Sequence, residues 1–168
     1  WFYSHKRKRI PFLGNLVSST LAISPFFVVF VYYRNFESVI FVHALFLFLL
    51  ILAREMIKDL ESIPGDMAQN RNTIPITYGP RVSKFMITFL IGLTLIPALL
   101  LIRSFDVGHM YLYFMASIVF LVIFLVLLWK AESQKHYVWL HNILKFIIVA
   151  GVFSILLINM DLVLNRIL

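Results

Sequence analysis

The sequence contains no cysteine and few charged residues. Without cysteine, disulfide bonds and thiolate metal sites are both excluded. Charged residues make up 14% of the 168 residues, whereas soluble domains carry roughly 25%. Apolar residues make up 61%, and 17 of them are phenylalanine. This composition excludes an ordinary soluble domain and predicts an integral membrane protein.

Long apolar runs account for most of the chain. Their lengths and spacing predict an all-α bundle of five membrane-spanning helices, at about 12–33, 38–56, 82–102, 107–129 and 140–162. The longest polar segment is the aspartate-rich loop 54–79, between the second and third spans. We interpret residues 1–168 as part of one transmembrane domain.

The cationic residues predict the orientation of these spans. Five spans place the connecting segments alternately on two sides, and twelve of the 15 lysines and arginines fall on one side. By the positive-inside rule, that side should face the cytoplasm. We therefore expect an integral protein of the cell (inner) membrane, with its polar loops cytoplasmic and its C-terminus outside. The same rule accounts for the net charge of +7 without a nucleic-acid partner.

The loop that follows the second span carries half of the eight acidic residues, namely Glu55, Asp59, Glu61 and Asp66. Glu55 and Asp59 are spaced to share one helix face. Pro64-Gly65 should end that helix, so we expect Asp66 to fold back toward Asp59 on a turn.

Converging carboxylates without nearby histidine or cysteine suit a hard cation such as Mg²⁺. Lys58 and Arg71 flank them and could bind phosphate oxygens. On these residues alone, an ordinary solvated juxtamembrane loop stays open as the alternative.

Two motifs carry a family resemblance. Residues 58–66 (KDLESIPGD) and 71–79 (RNTIPITYG) resemble the second aspartate-rich motif of the UbiA superfamily of intramembrane prenyltransferases. That motif has the form K-D-x-E-D-x-x-G-D, followed by a basic residue and T-L-P-[IV]-x-x-G. Residues 3–9 (YSHKRKR), with Gly14-Asn15 after them, are similar to a second signature that precedes the family's fifth helix. The resemblance implies the C-terminal part of a nine-helix prenyltransferase fold.

The resemblance also implies a chemistry and a set of site residues. In this family Mg²⁺ holds the diphosphate of a polyprenyl diphosphate while the prenyl group moves to an acceptor. Asp59 and Asp66 are the implied catalytic metal ligands, with Glu61 as a further ligand because Ser62 replaces the motif's middle aspartate. The implied diphosphate-binding residues are Lys58, Arg71, Lys8, Arg9 and Asn15.

The acceptor is less narrowly implied. The run R-E-x-x-K-D-x-E looks most like the digeranylgeranylglyceryl phosphate synthase-like branch, which prenylates a lipid of the glycerol phosphate type. An aromatic acceptor remains the alternative.

One family element is not found in the sequence. The first aspartate-rich motif, N-D-x-x-D-x-x-x-D, has no counterpart in residues 1–168. We therefore expect these residues alone to be inactive and to require N-terminal helices, supplied in cis or in trans. The competing interpretation is a non-catalytic membrane scaffold or a transporter fragment. Transporters place ionisable residues near the bilayer midplane, whereas these carboxylates cluster at one interface, which favours the enzyme.

Overall fold

Every regular element of the described part of the chain is a helix. The structure, a computed structural model, describes residues 11–33, 37–105 and 107–154. Five helices are long and apolar enough to cross a membrane: α1 (Pro11–Tyr33), α2 (Ser38–Glu61), α5 (Pro80–Arg103), α6 (Tyr111–Lys130) and α7 (Gln134–Ser154). Two short helices, α3 (Ile63–Ala68) and α4 (Ile74–Tyr78), lie between α2 and α5, and a 3₁₀ turn (Gly108–Met110) precedes α6. The predicted all-α bundle of five candidate spans is confirmed.

The helices extend beyond the predicted spans at their polar ends. α2 continues to Glu61, past the predicted limit at 56, because lysine, glutamate and methionine still favour a helix. α7 begins at Gln134, before the predicted start at 140. The remainder of that predicted span, residues 155–162, lies outside the described residues.

The break after α2 differs from the turn expected at Pro64-Gly65. α2 stops at Ser62, whose backbone N–H donates to the Lys58 carbonyl at 2.9 Å. Pro64 then lies in the first turn of α3, where a missing N–H costs nothing. Asp66 is therefore on a short helix that changes the chain direction, and its N–H donates to the Ser62 carbonyl at 2.9 Å.

α2 is the central helix of the bundle. It packs against α1, α5 and α7. Of the residues in its apolar stretch, 67% are buried, against 17% for α1. Phe46, Leu50 and Ile57 on α2 are fully buried. Burial on this scale fixes the helix within the bundle, and so fixes the direction in which its polar end points.

An aromatic cluster closes the middle of the bundle. It consists of Phe26, His43, Phe46, Tyr113 and Phe114, with neighbouring ring centroids 5.2–6.4 Å apart.

Gly151 lets α7 approach this aromatic cluster closely. A Cβ atom there would overlap the Tyr113 hydroxyl and lie 2.8 Å from Leu47 Cδ2. The Gly151 carbonyl is 3.1 Å from His43 Nε2. This helix contact therefore leaves no space for a Cβ atom at position 151, and only glycine fits there without a shift of its neighbours.

Hydrogen bonds bring five helix ends together at one end of the bundle, here called the polar end. Asn15 bonds to Asp59, joining the start of α1 to the end of α2. Arg54 lies 3.0 Å from His141, joining α2 to the start of α7. Lys84 Nζ donates to the Ala131 carbonyl at 2.5 Å, joining the start of α5 to the end of α6. The charged side chains of these segments consequently share one end.

Candidate functional site

A pocket of about 300 Å³ lies at the polar end and is called the polar pocket. α1, α2, α3 and the segment before α4 all contribute to its wall. Its lining residues are Gly14, Asn15, Ser18, Glu55, Lys58, Asp59, Ser62, Asp66, Arg71 and Thr73. Of the eight site residues predicted by sequence, five therefore meet at one cavity: Asn15, Lys58, Asp59, Asp66 and Arg71.

Asp59 is held by a contact between two helices. Asn15, which is 8% exposed, donates its side-chain N–H to Asp59 Oδ2 at 2.7 Å. The bond joins residues 44 apart in sequence and spans the α1–α2 interface. Because it is charge-assisted and partly buried, it orients the carboxylate firmly toward the pocket.

Asp66 is held by its own short helix and the loop after it. It is 6% exposed and accepts a hydrogen bond from the Ser62 hydroxyl at 2.7 Å. Arg71 Nη1 lies 3.5 Å from Asp66 Oδ1, and the Arg71 backbone N–H donates to the Asp66 carbonyl at 2.9 Å. Ser62, which stands where the family motif has aspartate, thus supports a carboxylate rather than adding one.

Three carboxylates and two cations line the pocket: Glu55, Asp59 and Asp66, with Lys58 and Arg71. The charges of Asp66 and Glu55 both repel that of Asp59, while Lys58 attracts it. Glu55 is paired with Lys58 at 3.2 Å and with Arg54 at 2.9 Å. Within the described ranges, no three acidic, histidine or cysteine side chains form a complete metal site by themselves. The arrangement suits a ligand that brings anionic oxygens together with a cation.

Thr73 adds an unpaired polar atom to the pocket wall. Its Oγ1 is buried, and no partner for it lies among the described residues. An unsatisfied buried hydroxyl costs free energy, which a ligand oxygen could recover.

The five pocket residues that were not assigned a site role from sequence are Glu55, Ser18, Thr73, Gly14 and Ser62. The i, i+4 spacing of Glu55 to Asp59 was a usable signal for the first. Ser18 lies one turn after Asn15 on α1, which placed it on the same face. Thr73 had no signal beyond its place in the motif, because its role depends on the loop's course.

Glu61 is not among the pocket-lining residues. Its Oε2 lies 3.6 Å from His141 Nδ1, and the other ring nitrogen of His141 lies 3.0 Å from Arg54 Nη2. Arg54, Glu61 and His141 form what is called here the His141 cluster, which links α2 to α7. Lys8 and Arg9, the remaining predicted contacts, lie outside the described residues.

These observations first define a class of protein. The chain is a polytopic α-helical membrane protein with a pocket of carboxylates and cations at one end of an apolar bundle. The model of the UbiA prenyltransferase family matches residues 1–147. The chain therefore belongs to the UbiA prenyltransferase family, and the resemblance drawn from the motifs is confirmed.

Curated relatives point to one branch of this family. The chain is 34% identical to a digeranylgeranylglyceryl phosphate synthase from Thermococcus sibiricus over 161 residues, covering 94% of the chain and 56% of the relative. It is 32% identical to the enzyme of that name from Methanobrevibacter smithii over 127 residues, covering 72% and 44%. The chain thus spans about half the length of these relatives. No solved structure matches it.

Proposed function

We propose that this chain is the metal- and diphosphate-binding part of a Mg²⁺-dependent membrane prenyltransferase. The enzyme moves a polyprenyl group from its diphosphate to a lipid acceptor of the glycerol phosphate type. The observation that carries the proposal is the polar pocket, where Asp59 and Asp66 lie beside Lys58 and Arg71 at the end of an apolar bundle. Such a pocket suits a ligand with a charged head and a hydrocarbon tail.

The pocket residues fit Mg²⁺. This ion is commonly bound by one or two protein carboxylates, with substrate phosphates and waters completing the octahedron, so a ready-made cluster of three is not needed. A divalent cation would relieve the repulsion of Asp59 by Glu55 and Asp66. When bound, Mg²⁺ supplies charge neutralisation for the departing diphosphate. Asp59 and Asp66 would hold it, and Glu55 is better placed than Glu61 to be the third carboxylate.

The other pocket residues act on the diphosphate. Lys58 and Arg71 bring positive charge to its oxygens, and the guanidinium of Arg71 can donate to two of them at once. Thr73 can donate its unpaired hydroxyl. Asn15 acts indirectly, since its amide orients Asp59. The apolar helices below exclude water, so the prenyl group reaches the acceptor and not water.

The completeness and orientation of the enzyme are part of the proposal. Because the chain spans about half of its relatives, we propose that N-terminal helices, in cis or in trans, supply a first aspartate-rich motif. Residues 1–168 alone are then inactive. The polar end faces the cytoplasm, in the cell's inner membrane, and Lys8 and Arg9 contact the diphosphate.

The test compares two protein preparations. The longer protein, with its N-terminal helices, should transfer a geranylgeranyl group from the diphosphate to a glycerol phosphate lipid only when Mg²⁺ is present. The chain of 168 residues should bind inorganic diphosphate with Mg²⁺, measured calorimetrically in detergent, but show no transfer. Binding that is indifferent to Mg²⁺ would refute the metal assignment, and transfer to 4-hydroxybenzoate alone would refute the lipid acceptor.

A further inference from the structure

A groove with a charged mouth runs between α6 and α7, separate from the polar pocket. Two adjoining cavities form it and share Leu127 and Trp139 in their walls. The outer cavity, of about 150 Å³, is lined by Lys130 and His136. None of these residues lines the polar pocket. The groove is therefore a second concavity at the same end of the bundle.

The inner cavity extends the groove into the apolar part of the bundle. Its volume is about 380 Å³, and Phe120, Ile123 and Phe146 line it. Lys130 is the last residue of α6, and Phe120 lies ten residues before it, which is about 15 Å deeper along the helix. Polarity therefore falls with depth, from a cationic mouth to an apolar floor.

The mouth presents hydrogen-bond donors to an anion. Lys130 has no carboxylate within ion-pair distance in residues 11–33, 37–105 and 107–154. The backbone N–H of Glu132 donates to His136 Nδ1 at 3.4 Å, which leaves Nε2 as the protonated nitrogen of the neutral ring. The Glu132 carboxylate interacts with Lys84 and does not line either cavity.

An amide lies at intermediate depth. Asn142 is exposed and lines the inner cavity among phenylalanine and isoleucine side chains. Its amide has no hydrogen-bond partner in the described part of the chain. An amide without a hydrogen-bond partner is unfavourable in contact with hydrocarbon. The position of Asn142 therefore favours a ligand with a hydrogen-bonding group at the same depth.

We propose that this groove binds one anionic glycerophospholipid of the bilayer. Its phosphate lies at Lys130 and His136, an ester carbonyl accepts from the Asn142 amide, and an acyl chain covers Phe120 and Ile123. Charge complementarity selects this occupant over a second copy of the chain, which would bring the same cationic mouth against itself. The inference is independent of the prenyltransferase proposal, because no residue of the polar pocket takes part.

The test uses Trp139, which lies in the wall of both cavities, as a reporter. With Trp1→Phe and Trp129→Phe, it is the single tryptophan of the chain. The purified chain is reconstituted in phosphatidylcholine vesicles that contain a minor share of brominated phosphatidylglycerol, which quenches fluorescence on contact. The fraction of Trp139 fluorescence that is quenched should exceed the value expected if lipids contacted the groove at random, in proportion to their share in the vesicle. Brominated phosphatidylcholine at the same share should quench only in proportion to that share.

Matched variants locate the effect in the groove. Lys130→Ala should reduce the preference for the anionic lipid about fivefold, as expected for one cation near a membrane surface. Lys130→Arg should keep the preference, and Asn142→Leu should weaken it. Arg81→Ala removes one charge from the start of α5 at a residue that lines neither cavity, and should change nothing. Circular dichroism confirms that each variant is folded.

Two results would overturn the proposal. One is equal quenching by the two brominated lipids, which would mean that the groove does not select an anion. The other is weak quenching by both lipids together with efficient cross-linking of two chains through Trp139→Cys, because a second copy would then cover the groove.

Discussion

The polar pocket and the aromatic cluster both include residues of α2, but the cluster is tightly packed and the pocket is open. In the aromatic cluster, side chains of three helices close the space so fully that Gly151 has no room for a Cβ atom. In the polar pocket, the side chains around Asp59 and Asp66 leave a cavity of about 300 Å³. A tightly packed interior thus holds α2 rigidly, and its polar end presents Asp59 to an open site. Changes in the first region should alter stability, and changes in the second should alter function.

The largest effect is expected from Asp59→Asn in the longer protein. The variant keeps the size of the side chain but removes the charge that would bind Mg²⁺, so prenyl transfer should fall at least about 100-fold, more than a supporting residue costs. Prenyl transfer is measured with labelled diphosphate at saturating Mg²⁺. Glu132→Gln, at the same end but outside the pocket, is the matched control. Transfer at the parent rate in the Asp59 variant would contradict the assignment of Asp59 to the functional site.

Gly151→Ala should destabilise the bundle without changing the site. The added methyl group overlaps the Tyr113 hydroxyl and lies close to Leu47, so unfolding free energy should fall by about 1–3 kcal/mol. Gly92→Ala on α5 is the control, because nothing lies within 4 Å of a Cβ atom there. Stability is followed by denaturant titration in detergent. The comparison fails if Gly151→Ala is as stable as Gly92→Ala.

Glu55→Gln and Glu61→Gln separate the pocket from the His141 cluster. Glu55 lines the pocket, so its variant should raise the Mg²⁺ concentration for half-maximal transfer about tenfold. Glu61 lies beside His141 instead, so its variant should leave that concentration almost unchanged. A Mg²⁺ titration of both variants decides the matter. The reverse order of effects would assign Glu61 as the third ligand, as the motif implies.

The smallest effect is expected from His43→Phe. His43 packs among aromatic rings, and its Nδ1 has no partner in the described part of the chain. Phenylalanine loses the contact with the Gly151 carbonyl but also removes the unpaired nitrogen, so stability should change by less than about 1 kcal/mol. Prenyl transfer should be unchanged. A large loss of transfer in a folded variant would show that this intramembrane histidine has a chemical role.

Composition and motif spacing predicted most of the fold and five of the ten residues that line the polar pocket. The five apolar runs predicted the candidate spans because a helix that crosses a bilayer needs about 20 apolar residues, which sequence displays directly. Asp59, Asp66, Lys58 and Arg71 were found because they are close in sequence and their residue types are those that bind cations and phosphates. Asn15 was found through the second motif alone.

The positions of Glu55 and Glu61 show what sequence could not decide. Both are acidic residues near the end of α2, and the motif favoured Glu61 as a ligand. Their helical positions differ, so one side chain lines the pocket while the other lies beside His141, 80 residues further on. No sequence pattern predicts the contact between Arg54 and His141.

The sequence by itself determined a membrane-spanning helical bundle, its family and the residue types of its site, because bilayer thickness and phosphate chemistry constrain short stretches of chain. Tertiary structure alone decided which of those residues meet. Asn15 reaches Asp59, Glu61 lies beside His141, Thr73 is left with an unpaired hydroxyl, and α6 and α7 leave a groove between them. Each of these depends on the packing of helices distant in sequence, and side-chain spacing along one helix carries no information about that packing.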